Sequence, residues 1–440
     1  MKKTILFLAA LAVMTSCNNE PQAATVIEKS PIEVVDGQFT PEIMHRLGKV
    51  SDPQVSPAGD KILYGVTYTD LALNRGQRHL FIMDIDGNNN RQLTHLPKSV
   101  SNARWIDDAN IAFTMGGQIY VWNIVSGDAP VKVSNVEGGV EGFELSPDGT
   151  QVMYVSQVQS AIRPTDDYPD MEKSTGRTIT GLMYRHWDHF VETIPHTYIA
   201  PFSMKGVGEG VDILDGAPYE LPTLPFGGLE QLSWSPDGKS IAYSCRKLTG
   251  LVYAYSTNTD IYLYDIATKE CKNLTEGMPG YDTDPLFSPD GKKIAWISMK
   301  RGGFEADKQR LFVVDVESGQ KKELTLNYKY NVTSPVWKAD GSGFYFTSLV
   351  NALQGIFEID LDGNVRRITA EDAWFDFDGV QVAGDRFITT NRSMNRPNEI
   401  VSVSIADGSF VQLTHENDEV LAQVKTGKIE ERWITTVDNK

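Results

Sequence analysis

The sequence has 440 residues, 41 basic against 58 acidic side chains, and a formal net charge of −17 at pH 7. Its 41% apolar content can build a real core, and 37 Gly, 21 Pro and a 10% aromatic share describe a turn-rich globular protein, not a disordered chain or a helix bundle. No Lys/Arg-rich run interrupts the acidity, so nucleic-acid phosphates and anionic lipid faces drop out as default partners.

The chain opens with Lys2 and Lys3, then the apolar run from Ile5 to Val13, which is too short to cross a bilayer. Met14-Thr15-Ser16-Cys17 follows and resembles a lipobox, the signal at which an exported bacterial chain is cut and its new N-terminal cysteine lipidated. This resemblance implies a signal peptide over residues 1–16, a lipid on Cys17, a polar tether over 17–38, and a place in the bacterial cell envelope on its periplasmic or cell-surface side. Membrane attachment is then expected only through the lipid. Thr40–Leu47 is the one predicted helix, with Thr40 as cap and Pro41 in the first turn.

From residue 48 the chain repeats itself. Ser56-Pro57-Ala58-Gly59, Ser146-Pro147-Asp148-Gly149, Ser235-Pro236-Asp237-Gly238 and Ser288-Pro289-Asp290-Gly291 are copies of one turn, and Lys338-Ala339-Asp340-Gly341 is a weaker fifth. Trp105-Ile106-Asp107-Asp108-Ala109 stands where a further copy is due. A second marker runs out of phase, at Gln92-Leu93-Thr94, Asn273-Leu274-Thr275, Glu323-Leu324-Thr325, Arg367-Ile368-Thr369 and Gln412-Leu413-Thr414. Each unit reads as four short strands at a period of about 45 residues, which describes a β-propeller blade. Units at about 48–95, 100–134, 140–220, 228–275, 281–325, 332–369 and 376–415 predict an all-β, seven-bladed propeller over residues 39–424, with six or eight blades as alternatives. Cys245 and Cys271 fall on the second and fourth strands of one unit. Such strands lie roughly 9.6 Å apart, beyond the ~7 Å a disulfide spans, so both are expected as free thiols.

The third unit holds a long irregular stretch, Ser160 to Pro195. Within it, Arg185-His186-Trp187-Asp188-His189-Phe190-Val191-Glu192 packs a cation, carboxylates, imidazoles and aromatics together. Three readings stay open. Arg185, Trp187 and Asp188 could line a pocket for peptide polar groups and a side chain. The segment could instead be a blade strand, with a buried Arg185–Asp188 pair and Trp187 in the core between blades. His186, His189, Glu192 and His196 could in principle hold a metal, although positions 186 and 189 would face opposite sides of a strand; no metal and no cofactor is expected. Tyr253 and Tyr255 are placed on the loop between the second and third strands of their blade. Asp372-Ala373-Trp374-Phe375-Asp376-Phe377-Asp378 reads as a first blade strand with alternate residues buried, or as a patch for a cationic peptide end.

Three stretches together resemble the prolyl oligopeptidase-type serine peptidases, in their dipeptidyl-peptidase 5 and acylaminoacyl-peptidase branch. They are Phe39 to Leu47 with Val50-Ser51-Asp52-Pro53, Tyr184-Arg185-His186-Trp187-Asp188, and Asp282-Thr283-Asp284-Pro285 running into Ser288-Pro289-Asp290-Gly291. The resemblance implies a propeller that gates short peptides to an α/β-hydrolase domain carrying Ser, Asp and His. The sequence contains no Gly-x-Ser-x-Gly, and Asp340-Gly341-Ser342-Gly343 sits in a predicted hairpin, so no catalytic residue can be assigned. Residues 425–440 read as a linker and first strand toward a hydrolase domain supplied in cis or in trans, and the chain alone is expected to be inactive on peptides. A free-standing TolB-like propeller that binds envelope proteins is the alternative.

Overall fold

The computed structural model describes residues 25–159, 168–171, 173, 175–176, 179, 184–372 and 374–438. The leader, Cys17 and most of the stretch 160–183 lie outside them. Seven antiparallel sheets follow one another along the chain, and each is built from one predicted unit. The fold is a seven-bladed β-propeller, as the repeats indicate.

Chemistry explains both repeated markers. In the Ser-Pro-Asp-Gly turns the serine hydroxyl accepts from the main chain where the second strand begins: Lys61 N at 3.0 Å from Ser56 Oγ, and Gln151, Ser240 and Lys293 at 2.9 Å from Ser146, Ser235 and Ser288. The turn glycine takes a left-handed φ, 67° at both Gly149 and Gly238, that favours a residue without Cβ. In the second marker the threonine hydroxyl accepts from the third strand, as at Leu80, Ile261, Leu311, Ile356 and Ile400. Ser134 does the same for Ile119 in blade 2. The residue before each threonine, such as Leu274 or Leu324, is buried, so the marker both packs the outer strand and satisfies a main-chain donor.

The core is divided into seven apolar clusters, each shared by two neighbouring blades. Successive residues of a second strand point to opposite faces, so Ile111 joins blade 2 to blade 1 while Ala112 joins it to blade 3. Ile241 and Ala242 repeat the pattern in blade 4, and Ile294 and Ala295 in blade 5. Each first strand leaves one edge toward the central channel. Four of these strands carry a register shift around a non-glycine residue of positive φ: Asp52, Asn102, Asp284 and Ser334. Pro53, Pro285 and Pro335 follow three of them, on an edge that has no sheet partner to receive an N–H.

Blade 1 takes all four strands from Lys49–Val55 to Arg91–Gln92, and blade 7 takes all of its strands from Asp376 to Gln412. Among the described residues no strand is exchanged across the closing seam. Side chains close it instead. Ile388 and Ile400 pack with Ile62, Tyr64 and Val66. Asn417 accepts from Gly48 N and donates to Gly48 O, both at 2.9 Å. Residues 25–29, placed in the polar tether by the sequence, lie against the propeller. Ile27 is 5% exposed, its main chain meets Gln77 and His79, and Lys29 pairs with Glu416 at 2.9 Å. An apolar residue amid polar ones gave no sign of this docking.

The helix Pro41–Arg46 forms with Thr40 Oγ1 accepting from Ile43 N at 3.3 Å. Short helices, not anticipated from the sequence, also form at Gly250–Tyr255 and Asp418–Leu421; Thr249 and Asn417 stand at their N-cap positions, but neither makes a side-chain cap hydrogen bond. Residues 425–438, read as a linker and strand, form no strand; Lys425 N donates to Gly37 O at 2.8 Å. Cys245 and Cys271 are free, on the second and fourth strands of blade 4. Ser342 lies in the hairpin turn between Thr333–Trp337 and Gly343–Val350. Among the described residues no helix is long and apolar enough to cross a membrane.

Candidate functional site

Strand direction sets the geometry of the two propeller faces. The Ser-Pro-Asp-Gly turns join first to second strands on one face, so loops from second to third strand emerge on the other. The helix Pro41–Arg46, just before blade 1, and residues 413–425, just after blade 7, lie on that second face.

The segment read three ways in the sequence is one of these loops. Gln151–Gln159 and Thr193–Ser203 pair in register up to Gln159 and Thr193, and the described residues 184–192 between them stand outside that sheet. Within this stretch Arg185–His186 pairs with His189–Phe190 as a small hairpin, with Trp187 and Asp188 at its tip. Trp187 takes φ +44° and is 71% exposed. The blade-strand reading is therefore overturned. Trp187 is outside the inter-blade core, and Arg185 and Asp188 are both exposed, with Arg185 Nη2 donating to the Asp188 main-chain oxygen at 3.4 Å. The extended segment was too short, and its tip too polar, to be a blade strand.

A buried polar cluster ties the hairpin to the propeller. His186 Nε2 lies 3.0 Å from Glu220 Oε1, and the Tyr253 hydroxyl donates a short hydrogen bond to the other oxygen of Glu220. Burial, reinforced by the Glu220 charge, raises the Tyr253 phenol well above its ordinary range and keeps it a donor. His196 is committed elsewhere, with Nδ1 2.7 Å from Asp212. Positions 186 and 189 are cross-strand partners, not steps along one strand as the sequence reading assumed. Among the described residues no group of three or more His, Cys, Asp or Glu is placed to hold a metal.

Above this cluster is a cavity of about 830 Å³, spanning blades 3 to 5. Arg185, His186 and Trp187 form one wall. Residues 223–226, which link blade 3 to blade 4, form a second. Arg246, Tyr253 and Tyr255 form the third. Trp187 meets Phe226 edge to face at 5.7 Å, and Phe226 is itself 68% exposed. The Arg246 guanidinium lies 4.8 Å over the Tyr253 ring. Of the sequence candidates, Arg185 and Trp187 line the cavity, with Asp188 beside them at the hairpin tip. Tyr253 and Tyr255 lie between second and third strands, as placed. Phe226, Glu220 and Arg246 were missed, because each belongs to a stretch that carries no motif and only the fold assembles them. The acidic-aromatic patch is split: Phe377 is buried in a two-residue strand, whereas Trp374 faces a separate cavity beside residues 429–433.

Seven sequential blades, with no strand exchanged among the described residues and a walled cavity on the face where residues 413–425 leave the ring, define a seven-bladed β-propeller. Residues 231–421 match the TolB beta propeller domain family. The chain is 38% identical over its whole length to dipeptidyl-peptidase 5 of Porphyromonas gingivalis and 36% identical to that of Porphyromonas endodontalis, spanning 63% and 64% of those proteins. Among solved structures, Pyrococcus horikoshii acylaminoacyl peptidase matches 87% of the chain with TM-score 0.64 at 19% identity, over 55% of its own length. The β-propeller domain of the Trilobed protease from Pyrococcus furiosus, described as having an open velcro topology, matches 84% of the chain and 99% of that domain with TM-score 0.57 at 16% identity. The chain is homologous along its whole length to the dipeptidyl-peptidase 5 proteins of these two organisms, spans a little under two thirds of their length, and carries a TolB-like β-propeller.

Proposed function

We propose that this propeller selects short peptides for an exported dipeptidyl-peptidase-like serine peptidase, gating their access to an α/β-hydrolase domain supplied in cis or in trans. One observation carries the reading: the cavity under Trp187 opens on the face where residues 413–425 leave the ring, the side on which a following domain would sit. Trp187 and Phe226 offer a side chain an apolar surface, Arg185 and Arg246 offer polar groups of the peptide hydrogen-bond donors, and the rim excludes folded proteins by size. Catalysis needs a serine with a positioned base and an oxyanion hole, roles that this reading assigns to the hydrolase domain.

The test joins the propeller to a hydrolase domain and compares Trp187→Ala with the parent. Expected are a loss of about tenfold or more in kcat/KM on bulky dipeptide arylamides and a melting temperature unchanged, since exposed substitutions usually shift stability by about 0.5 kcal/mol or less. Turnover by the chain by itself, with one serine per chain labelled by a phosphonate, would overturn the proposal. So would an undiminished kcat/KM.

Attachment to the cell envelope through a lipid on Cys17 is part of the same proposal. Cys17→Ser should remove fatty-acid labelling and release the chain from the membrane fraction; retention of both signals would refute the anchor.

A further inference from the structure

Partly buried arginines in this chain find oxygen acceptors for their guanidinium groups, and where no carboxylate is at hand Arg367, Arg386 and Arg396 use neighbouring carbonyl, hydroxyl or amide oxygens. Arg78 and Arg104 share Asp52 at 3.4 and 3.5 Å, Arg310 meets Glu323 at 3.3 Å, and Arg392 meets Asp378 at 2.6 Å. Arg246 departs from that rule. Its guanidinium stacks on Tyr253, but among the described residues it has no carboxylate or carbonyl partner, and its Nε is shielded from water without an acceptor. Leaving a shielded N–H of a cation unmet is costly, because the group loses its water without gaining an acceptor. In a chain with 58 acidic residues, an available carboxylate is not what is scarce.

The cavity has the matching character. Arg185 stands across it, its guanidinium carbon 5.5 Å from the Phe190 ring and, among the described residues, its one polar contact the long bond to the Asp188 carbonyl. Glu305 is the one carboxylate in the lining, on an exposed loop. Glu220, the carboxylate held by Tyr253, is already committed to His186 and Tyr253 beneath the floor. A planar guanidinium with a free fork matches a carboxylate in two parallel hydrogen bonds. Trp187 and Phe226, edge to face at the opposite wall, present apolar surface to the neighbouring residue of the same ligand.

We infer that this cavity is a carboxylate-binding subsite, in which Arg246, assisted by Arg185, holds a peptide carboxylate while Trp187 and Phe226 cover an adjoining bulky apolar side chain. The inference rests on the peptide-selecting role proposed above and adds what the peptide must carry. Two sources present the same chemistry: the α-carboxylate of a short peptide, or an Asp or Glu side chain within it. In the first case the subsite measures peptide length; in the second it reads sequence.

Calorimetric titration of the full chain separates them with three peptides: Gly-Ala-Leu-Phe as the free acid, the same peptide as its C-terminal amide, and Gly-Ala-Glu-Phe amide. The free acid is expected to bind at least tenfold more tightly than its amide, and Arg246→Gln to abolish that difference while Arg246→Lys keeps part of it. If the Glu-containing amide equals the free acid, the side-chain carboxylate is an accepted source; if it matches the plain amide, the site reads chain ends. The free acid and its amide binding equally to the parent chain would overturn the inference, and this comparison stands even if Arg246→Gln does not fold. Equal binding that is lost in Trp187→Ala would leave the peptide-selecting role intact without a carboxylate site. Failure of all three peptides to bind would remove both, in favour of a free-standing scaffold.

Discussion

Glu144, on the first strand of blade 3, shows how much one residue in the central channel is shaped by its neighbours. Burial pushes its carboxyl up to about 7, against an opposing pull from Arg104 and a further push from Glu230. Asp284 on the first strand of blade 5 is raised to about 6, again by burial, with Thr283 opposing and Glu230 adding. These first strands carry their charges inward because the channel, unlike the seams between blades, has no apolar partner to offer. A carboxyl whose folded pKa lies above its unfolded value favours folding while protonated and loses that contribution as pH rises. For Glu144 the loss develops between its ordinary value of 4.5 and about 7. Glu144→Gln should therefore melt close to the parent near pH 4.5 and be more stable above pH 7, by on the order of 2 kcal/mol. Melting curves across that range check this, and a difference that does not grow with pH would exclude the assignment.

At the scale of elements, what the sequence made legible was whatever repeats for a local reason. The Ser-Pro-Asp-Gly turn closes on itself through one hydroxyl and one left-handed glycine, and the threonine hydroxyl of the second marker is fixed by accepting a main-chain bond from the neighbouring third strand. Both therefore recur wherever the blade does, and the blade boundaries follow from them. The capped helix Pro41–Arg46 was visible for the same reason, since its start is written in Thr40 and Pro41. The helix Gly250–Tyr255 was not, because it lacks a side-chain cap hydrogen bond and is held by tertiary contacts of Tyr253 with Glu220 and Arg246. The candidate site shares that fate. Its hairpin could be noticed for its composition, and Arg185, Trp187 and Asp188 were, but whether Trp187 turned inward or outward depended on how far the loop stands off the sheet. Phe226 and Arg246 come to it from a linker and a strand end separated from the hairpin by about 40 to 60 positions. No local pattern encodes such a meeting.

For the whole molecule the decisive fact is that the ring has no single core. Seven interfaces of the same kind share the burial, and six of them have a continuous chain passing from one blade to the next. The seventh, between blades 7 and 1, has to be held by side chains and by the N-terminal segment that reaches from Gln77 to Glu416. Among the described residues no strand pairs across this seam, and the main-chain bond from Lys425 N to Gly37 O lies outside the blades, so its protection depends on few groups. Asn417 is the sharpest of these, being 2% exposed and satisfying both the N–H and the C=O of Gly48, while its own N–H reaches Glu399. Asn417→Ala strands two buried main-chain groups at a cost of about 1–3 kcal/mol each before relaxation. If the seam is the weak point of the ring, that cost is felt locally first. Hydrogen exchange in the variant should quicken over Lys49–Val55 and Arg396–Ser404, which flank the seam, while Ser240–Cys245 and Lys293–Ser298 in blades 4 and 5 keep their protection. A uniform loss of protection around all seven blades would mean that the ring unfolds as one unit and that the seam is as strong as its neighbours. An opening confined to blades 1 and 7 would instead give the propeller a side gate, on the opposite side of the ring from the cavity beneath Trp187.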